Sequence, residues 1–199
     1  MRTRICLALL SLIATSASAL GPDLAEVIRN DDRDRLTHLD EVAGRTLRPA
    51  LAVADPVDLD VLTAGLRDAP LPLDKAASVL PGDWSCRMLK LGRNLPLVAY
   101  RPFRCRIGAD GSFQKLTGSQ RMIGQIGLLE GRQTYVGTGF IAGDEPVSYD
   151  RLPEKTDPIA ILQRVPEVGV VEVSSPTKAR ILLPLPMLES DLNLLLLSR

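Results

Sequence analysis

Histidine is almost missing from this chain: His38 is the single one in 199 residues. It stands in a charged helical stretch beside Asp40 and Glu41, which reads as a surface position rather than a catalytic base. Cysteine is also scarce, with three in all. So few nitrogen and sulfur ligands leave no set for a zinc or copper site. No phosphate loop, dinucleotide fingerprint or nucleophile elbow occurs. Asp110-Gly111 is too short to supply calcium ligands. Ser119 has no histidine near it in sequence, and Glu189 with Asp191 is a carboxylate pair in an expected turn. No cofactor, metal or catalytic residue is therefore expected, and an enzyme is unsupported.

Long apolar runs are missing after the first twenty residues, so no second membrane-spanning segment is expected. The first nineteen residues read as an export signal. Arg2 and Arg4 form its basic start, Ile5 to Ala14 its short apolar core, and Ala17-Ser18-Ala19 its cleavage site, before Leu20. The expected compartment is the periplasm or beyond, with no membrane span after cleavage. Loss of Arg2 and Arg4 leaves 22 basic against 24 acidic side chains. Without a large positive field to neutralise phosphates, the charge argues against a general nucleic-acid binder, and no nucleic-acid partner is expected.

Cleavage also removes Cys6 and leaves Cys86 and Cys105. In an exported chain two cysteines favour one disulfide, the alternative being two free buried thiols. The bridge would close a 20-residue loop, which stabilises by about 3 kcal/mol on the chain-entropy model.

What is present divides into two textures. Residues 20–68 read as a helical segment. Leu24, Ile28, Leu36, Leu39, Ala43 and Leu47 recur at helical spacing up to about Leu51, with Pro49 at or near the end. Asp55-Pro56 then caps a second helix, Val57 to Leu66. Residues 69–81 read as a Pro-rich linker. From Gly82 to the end the chain reads as short strands between turns, about eight of them: an antiparallel β-barrel with the N-terminal amphipathic helices packed on it, an α+β fold. Expected strands include Ser112 to Thr117, Gln120 to Leu129, Arg132 to Ala142, Ile159 to Val165, Val168 to Ser174, Ala179 to Leu183 and Leu192 to Ser198.

The first two strands are predicted to turn at residues 95 and 96, placing Cys86 opposite Cys105, Trp84 opposite Ile107 and Met88 opposite Phe103. Pro102 should force an edge or bulge. Leu192 to Leu197 is apolar on both faces except at Asn193, so its outer face must be covered, by the helices or by a second copy in a homodimer. Trp84, Phe103 and Tyr135 are the candidate barrel-interior residues. Gly137 and Gly139 share the face of Tyr135, as at a barrel corner.

Charge is unevenly spread. Residues 21–79 carry 12 acidic and 7 basic side chains, whereas residues 81–108 carry six basic and one acidic. The acidic helices could lie near the basic hairpin. Otherwise Arg87, Lys90, Arg104 and Arg106 form an anion or partner surface, with Arg87 facing Arg104 across the strands.

These stretches resemble an exported bacterial family, domain of unknown function 4893. The resemblance rests on Asp32-Arg33-Asp34-Arg35-Leu36 with Leu39-Asp40-Glu41 and on Gly82-Asp83-Trp84-Ser85-Cys86-Arg87 with Lys90-Leu91-Gly92. It rests also on Phe103-Arg104-Cys105-Arg106-Ile107, Lys115-Leu116-Thr117-Gly118-Ser119-Gln120-Arg121, and Leu183-Pro184-Leu185-Pro186 with Leu188-Glu189-Ser190. Val42 and Ala43 stand where the family pattern carries a tryptophan. The resemblance implies compartment and fold and transfers no catalytic residue. Gly82-Asp83-Trp84 is also similar to the first-strand motif of lipocalin-like barrels, which implies an apolar ligand or a protease-inhibitor role. The sequence thus predicts a non-enzymatic exported barrel binding a small apolar or lipidic ligand. The alternative is a protein-interaction module, a protease inhibitor or an envelope-assembly factor, and a hydrolase would need a pocket of converging titratable groups.

Overall fold

The structure, a computed structural model, describes residues 20–157, 159–160 and 163–199. The expected export signal, Met1 to Ala19 with Cys6, lies outside those residues.

The helical segment begins later than its periodicity predicts. Residues 22–24 lie along a sheet edge instead, where Leu24 N–H donates to Leu128 O at 2.8 Å and Leu128 N–H to Pro22 O at 2.8 Å. A Cβ on Gly127 would stand 2.3 Å from Pro22 O, so only glycine lets the segment dock there. Helices α1 (Asn30–Thr37) and α2 (Leu39–Val53) follow, divided at His38. Pro49 lies inside α2 rather than at its end. Pro49 and Arg45 both face solvent, so water can serve the Arg45 carbonyl that loses its helical donor. The buried stripe of α2 is Leu39, Val42, Thr46 and Ala50, one residue round from the predicted Ala43 and Leu47. Thr46 hides there because its hydroxyl donates to Val42 O at 2.9 Å. Helix α3 (Pro56–Leu66) starts as predicted, with the Asp55 carboxylate accepting from Val57 N–H at 2.8 Å. The expected linker contains a fourth helix, α4 (Leu73–Val79).

Nine strand segments among the described residues close an antiparallel barrel. They are β1 (Gly82–Gly92), β2 (Leu95–Ala99), β3 (Phe103–Ile107), β4 (Ser112–Lys115), β5 (Gln120–Leu129), β6 (Arg132–Ile141), β7 (Arg164–Ser175), β8 (Lys178–Pro184) and β9 (Leu192–Ser198). Each pairs with its neighbour, and β1 closes the ring on β9. β2 and β3 act as one interrupted stave: β2 pairs with the end of β1 and β3 with its start. The interruption at Tyr100–Pro102 is the break that Pro102 predicts.

The register differs from the sequence expectation. Trp84 pairs with Cys105, Cys86 with Phe103, and Ser85 with Arg104. The partners of Trp84 and Phe103 therefore lie two residues from the expected ones, and Arg87 does not face Arg104. The turn falls at Arg93–Asn94, two residues before the expected 95 and 96, which belong to β2; the irregularity at Leu91/Gly92 and the break before β3 recover only part of that difference. Parity survives a two-residue shift, so the inner face is unchanged and the Cys86–Cys105 disulfide forms diagonally, with Cα atoms 5.8 Å apart.

Strands predicted over 159–165 and 168–174 become the single β7. Part of the first, Ile161 and Leu162, lies outside the described residues; Arg164 and Val165 open β7, and Ile159 and Ala160 precede it in a turn. Pro166 is tolerated mid-strand because the β7–β8 ladder starts only at Val170. At that position Pro166 has a partner strand on one side. Arg35 of α1 fills the gap, donating to Pro166 O at 3.1 Å and Pro184 O at 3.4 Å. Its guanidinium is held by the buried Asp32 carboxylate at 2.6 Å, which also accepts from Tyr149 Oη at 2.6 Å.

Two apolar clusters result. The inner one runs from Ala76, Ala77, Leu80 and Trp84 through Phe113, Ile126 and Tyr135 to Met88 and Met122. The outer one lies between the helices and the sheet and includes Leu36, Leu39, Val42, Leu62, Leu89, Leu91, Leu192 and Leu194. The helices thus cover the outer face of β9, as predicted. Gly65 of α3 sits so near that a Cβ would stand 2.4 Å from Leu196 Cδ1.

Candidate functional site at the open end of the barrel

One end of the barrel is sealed. Leu80, after α4, lies in the inner cluster and accepts from Trp84 Nε1 at 2.8 Å. The Arg199 guanidinium lies 3.8 Å over the Trp84 ring and donates to the carbonyls of Val79, Leu80 and Pro81. Tyr135 fills the middle, its ring folded over Gly137 and Gly124 and its hydroxyl donating to Ile123 O at 3.0 Å. That is what the two strand glycines do.

The opposite end holds a cavity of about 110 Å3. Its apolar wall includes Met88, Phe103, Met122, Ile141 and Val165, and its polar wall includes Lys90, Lys115, Gln120, Glu167 and Asn193. Alternation places them. Trp84, Cys86 and Met88 face inward along β1, so Lys90 does too. Asn193 faces inward opposite it on β9, and Glu167 shares the inner face of β7 with Val171 and Val173.

Lys90 Nζ donates to Gln120 Oε1 at 2.9 Å and pairs with Glu189. Lys115 Nζ donates to the carbonyls of Thr117 at 3.0 Å and Gln120 at 2.5 Å and lies 3.8 Å from the Phe103 ring centre. Arg121 donates to the carbonyls of Gly118 and Leu116. The run from Lys115 to Arg121 is thus a loop closed by its own cationic ends, and Gly118 (φ 94°) lets Phe103 and Lys115 pack against its backbone. Burial, reinforced by Arg121 and Lys90, pushes Lys115 down to about 8.

Glu167 is different in kind. Its Oε2 is buried without a hydrogen-bond partner. Burial pushes its pKa up to about 7 despite the opposing fields of Arg35 and Lys90. Gly139 leaves the space beside it; a Cβ there would stand 3.1 Å from Glu167 Oε1.

The predicted basic surface is not one surface. Lys90 points into the barrel, whereas Arg87, Arg104 and Arg106 lie on the outer face, where Arg106 pairs with Asp83 at 2.7 Å and Arg87 donates to Tyr100 O at 2.7 Å. The expected offset by the acidic helices is not seen among the described residues: Lys90, Arg93 and Arg106 pair with Glu189, Asp191 and Asp83 rather than with a carboxylate of residues 21–79. Trp84, Phe103 and Tyr135 all face inward but at three depths, and only Phe103 borders the cavity. Glu189 and Asp191 are not an acid–base pair, since Glu189 pairs with Lys90 and Asp191 with Arg93 at 3.5 Å. His38 is exposed on the helices and Ser119 lines the cavity, so the two are separated. Lys115, Glu167 and Asn193 were missed as site residues. The signal was present: each is a polar residue on an otherwise apolar inner face.

Among the described residues no group of three His, Cys, Asp or Glu side chains could hold a metal, and no helix is long and apolar enough to cross a membrane. A family model described as domain of unknown function (DUF4893) matches residues 25–197. No curated protein and no solved structure matches the chain.

Proposed function

The chain belongs to the DUF4893 family, and from that premise we propose that it is an exported, non-enzymatic barrel that binds a small ligand at its open end. The observation that carries this reading is Glu167 Oε2, a buried, unpartnered carboxylate oxygen beside a cavity with an apolar wall. Buried polar atoms normally have partners, and one that borders a cavity offers a contact to a molecule entering it. A disulfide between Cys86 and Cys105 fits an oxidising compartment, and Ala19 remains the proposed cleavage position.

The inner apolar cluster is filled by its own side chains, and a cavity of about 110 Å3 is below the ~300 Å3 of an ordinary ligand pocket. A lipid chain threaded through the barrel, the use suggested by lipocalin-like barrels, is therefore disfavoured. The ligand is small, or only its end enters. Native mass spectrometry of the protein purified from the periplasm tests the reading. A bound small mass, lost on Glu167→Leu, supports it; a chain that binds nothing across a fragment library overturns it.

A second reading has its own observation. Glu167 raised to about 7 and Lys115 lowered to about 8 border one cavity, the pattern of acid–base chemistry. A nucleophile paired with a base is missing among the described lining residues, so this reading ranks below binding. Turnover of an ester or glycoside panel that Glu167→Gln abolishes would reverse that order.

A further inference from the structure

The mouth carries an excess of positive charge and spare donors, and that fixes what kind of small molecule fits it. This inference rests on the binding role proposed above. Lys90, Lys115 and Arg121 line the cavity, against Glu167 and the Glu189 that pairs with Lys90. An ammonium has three N–H donors. Lys90 Nζ engages Gln120 and Glu189, and Lys115 Nζ engages two carbonyls, so each leaves one N–H. Glu167 adds an O–H when it is protonated. The remaining wall is Met88, Phe103, Met122 and Val165.

The geometry points to a short-chain monocarboxylate as the ligand, its carboxylate held by Lys90, Lys115 and a protonated Glu167 and its alkyl end against the methionines and Phe103. An amine would need Glu167 ionised and would sit among three cations. An alcohol would leave the positive excess unanswered. The size agrees: about 110 Å3 is somewhat less than the ~150 Å3 of an apolar cavity that accepts benzene, which suits a four-carbon chain.

The charged and titratable groups around Glu167 are Arg35 and Asp32 from α1, Lys90 from β1 and Tyr135 from β6. Tyr135 is held neutral by burial, and Lys115 lies across the cavity on β4. Burial raises Glu167 to about 7 and lowers Lys115 to about 8. Both donors are therefore lost as pH rises, while butyrate stays ionised.

The test titrates the 15N-labelled full chain with butyrate, butylamine and butanol and follows the amides of Gln120, Gly139 and Ile141 by NMR. Butyrate should bind best and weaken about twentyfold from pH 6 to pH 8, as the protonated fraction of Glu167 falls about tenfold and that of Lys115 about twofold. Glu167→Gln, whose amide donates at every pH, should keep butyrate binding and decline only about twofold from pH 6 to pH 8, the part that Lys115 carries; a thermal melt confirms its fold. Preference for butylamine, or binding that strengthens with pH, overturns the carboxylate while leaving a ligand-binding mouth. Silence from all three probes at those amides overturns the carboxylate, and failure of the wider fragment library would then overturn the binding role itself.

Discussion

The two ends of the barrel are built from the same alternation and finished in opposite ways. At the sealed end each polar group ends on a backbone carbonyl: Trp84 on Leu80, and Arg199 on the three carbonyls after α4. At the open end two lysines and a glutamate are drawn into the wall, and one carboxylate oxygen is left without a partner. The first arrangement contributes stability. The second gives some away, because a buried charge without its own hydrogen bonds costs free energy.

The largest effect expected from breaking this contrast is at the sealed end. Trp84→Ala removes a buried ring and the surface under Arg199 and should cost about 3–5 kcal/mol in urea unfolding. Opening the disulfide with Cys86→Ala and Cys105→Ala together should cost about 3 kcal/mol, read from the shift in unfolding midpoint.

At the open end the sign reverses. The folded-state pKa of Glu167 lies above its unfolded value. Folding therefore takes up a proton, and stability falls as pH rises through the interval from about 4.5 to about 7. Glu167→Gln should thus stabilise by up to about 3 kcal/mol at pH 8 and by almost nothing at pH 4, in paired denaturant curves. A variant that destabilises equally at both pH values would show the carboxylate to be an ordinary structural group. The smallest effect is on the sealed end's exterior: Asp83→Asn, breaking the exposed pair with Arg106, should leave the melting temperature unchanged.

Much of this architecture was legible in the residues. Period-two alternation around Trp84, Cys86 and Met88 sets the inner face, and a two-residue error in pairing leaves that face intact. The apolar run from Leu192 to Leu197 announces its helical cover. Two things were not legible. The break at His38 leaves the apolar periodicity of the segment uninterrupted, and the helix over Leu73–Val79, seven residues set between Pro72 and Pro81, is too short for a period to show although Leu, Lys and Ala favour it. The mouth was hidden because Lys90 was grouped with its basic neighbours by charge. Parity separates it from Arg87, Arg104 and Arg106, and applying the same rule to Glu167 and Asn193 would have found the site.

Arg35 stands where the ladder between β7 and β8 has not yet begun, and it donates to the carbonyls of Pro166 and Pro184 from a helix rather than from a strand. The seam of the cylinder is thereby stitched by a side chain belonging to another part of the chain. Cutting the N-terminal helices away should not yield a smaller soluble cylinder but a split one, with leucines of its last stave laid open to water. Helices and sheet should melt together, in one transition.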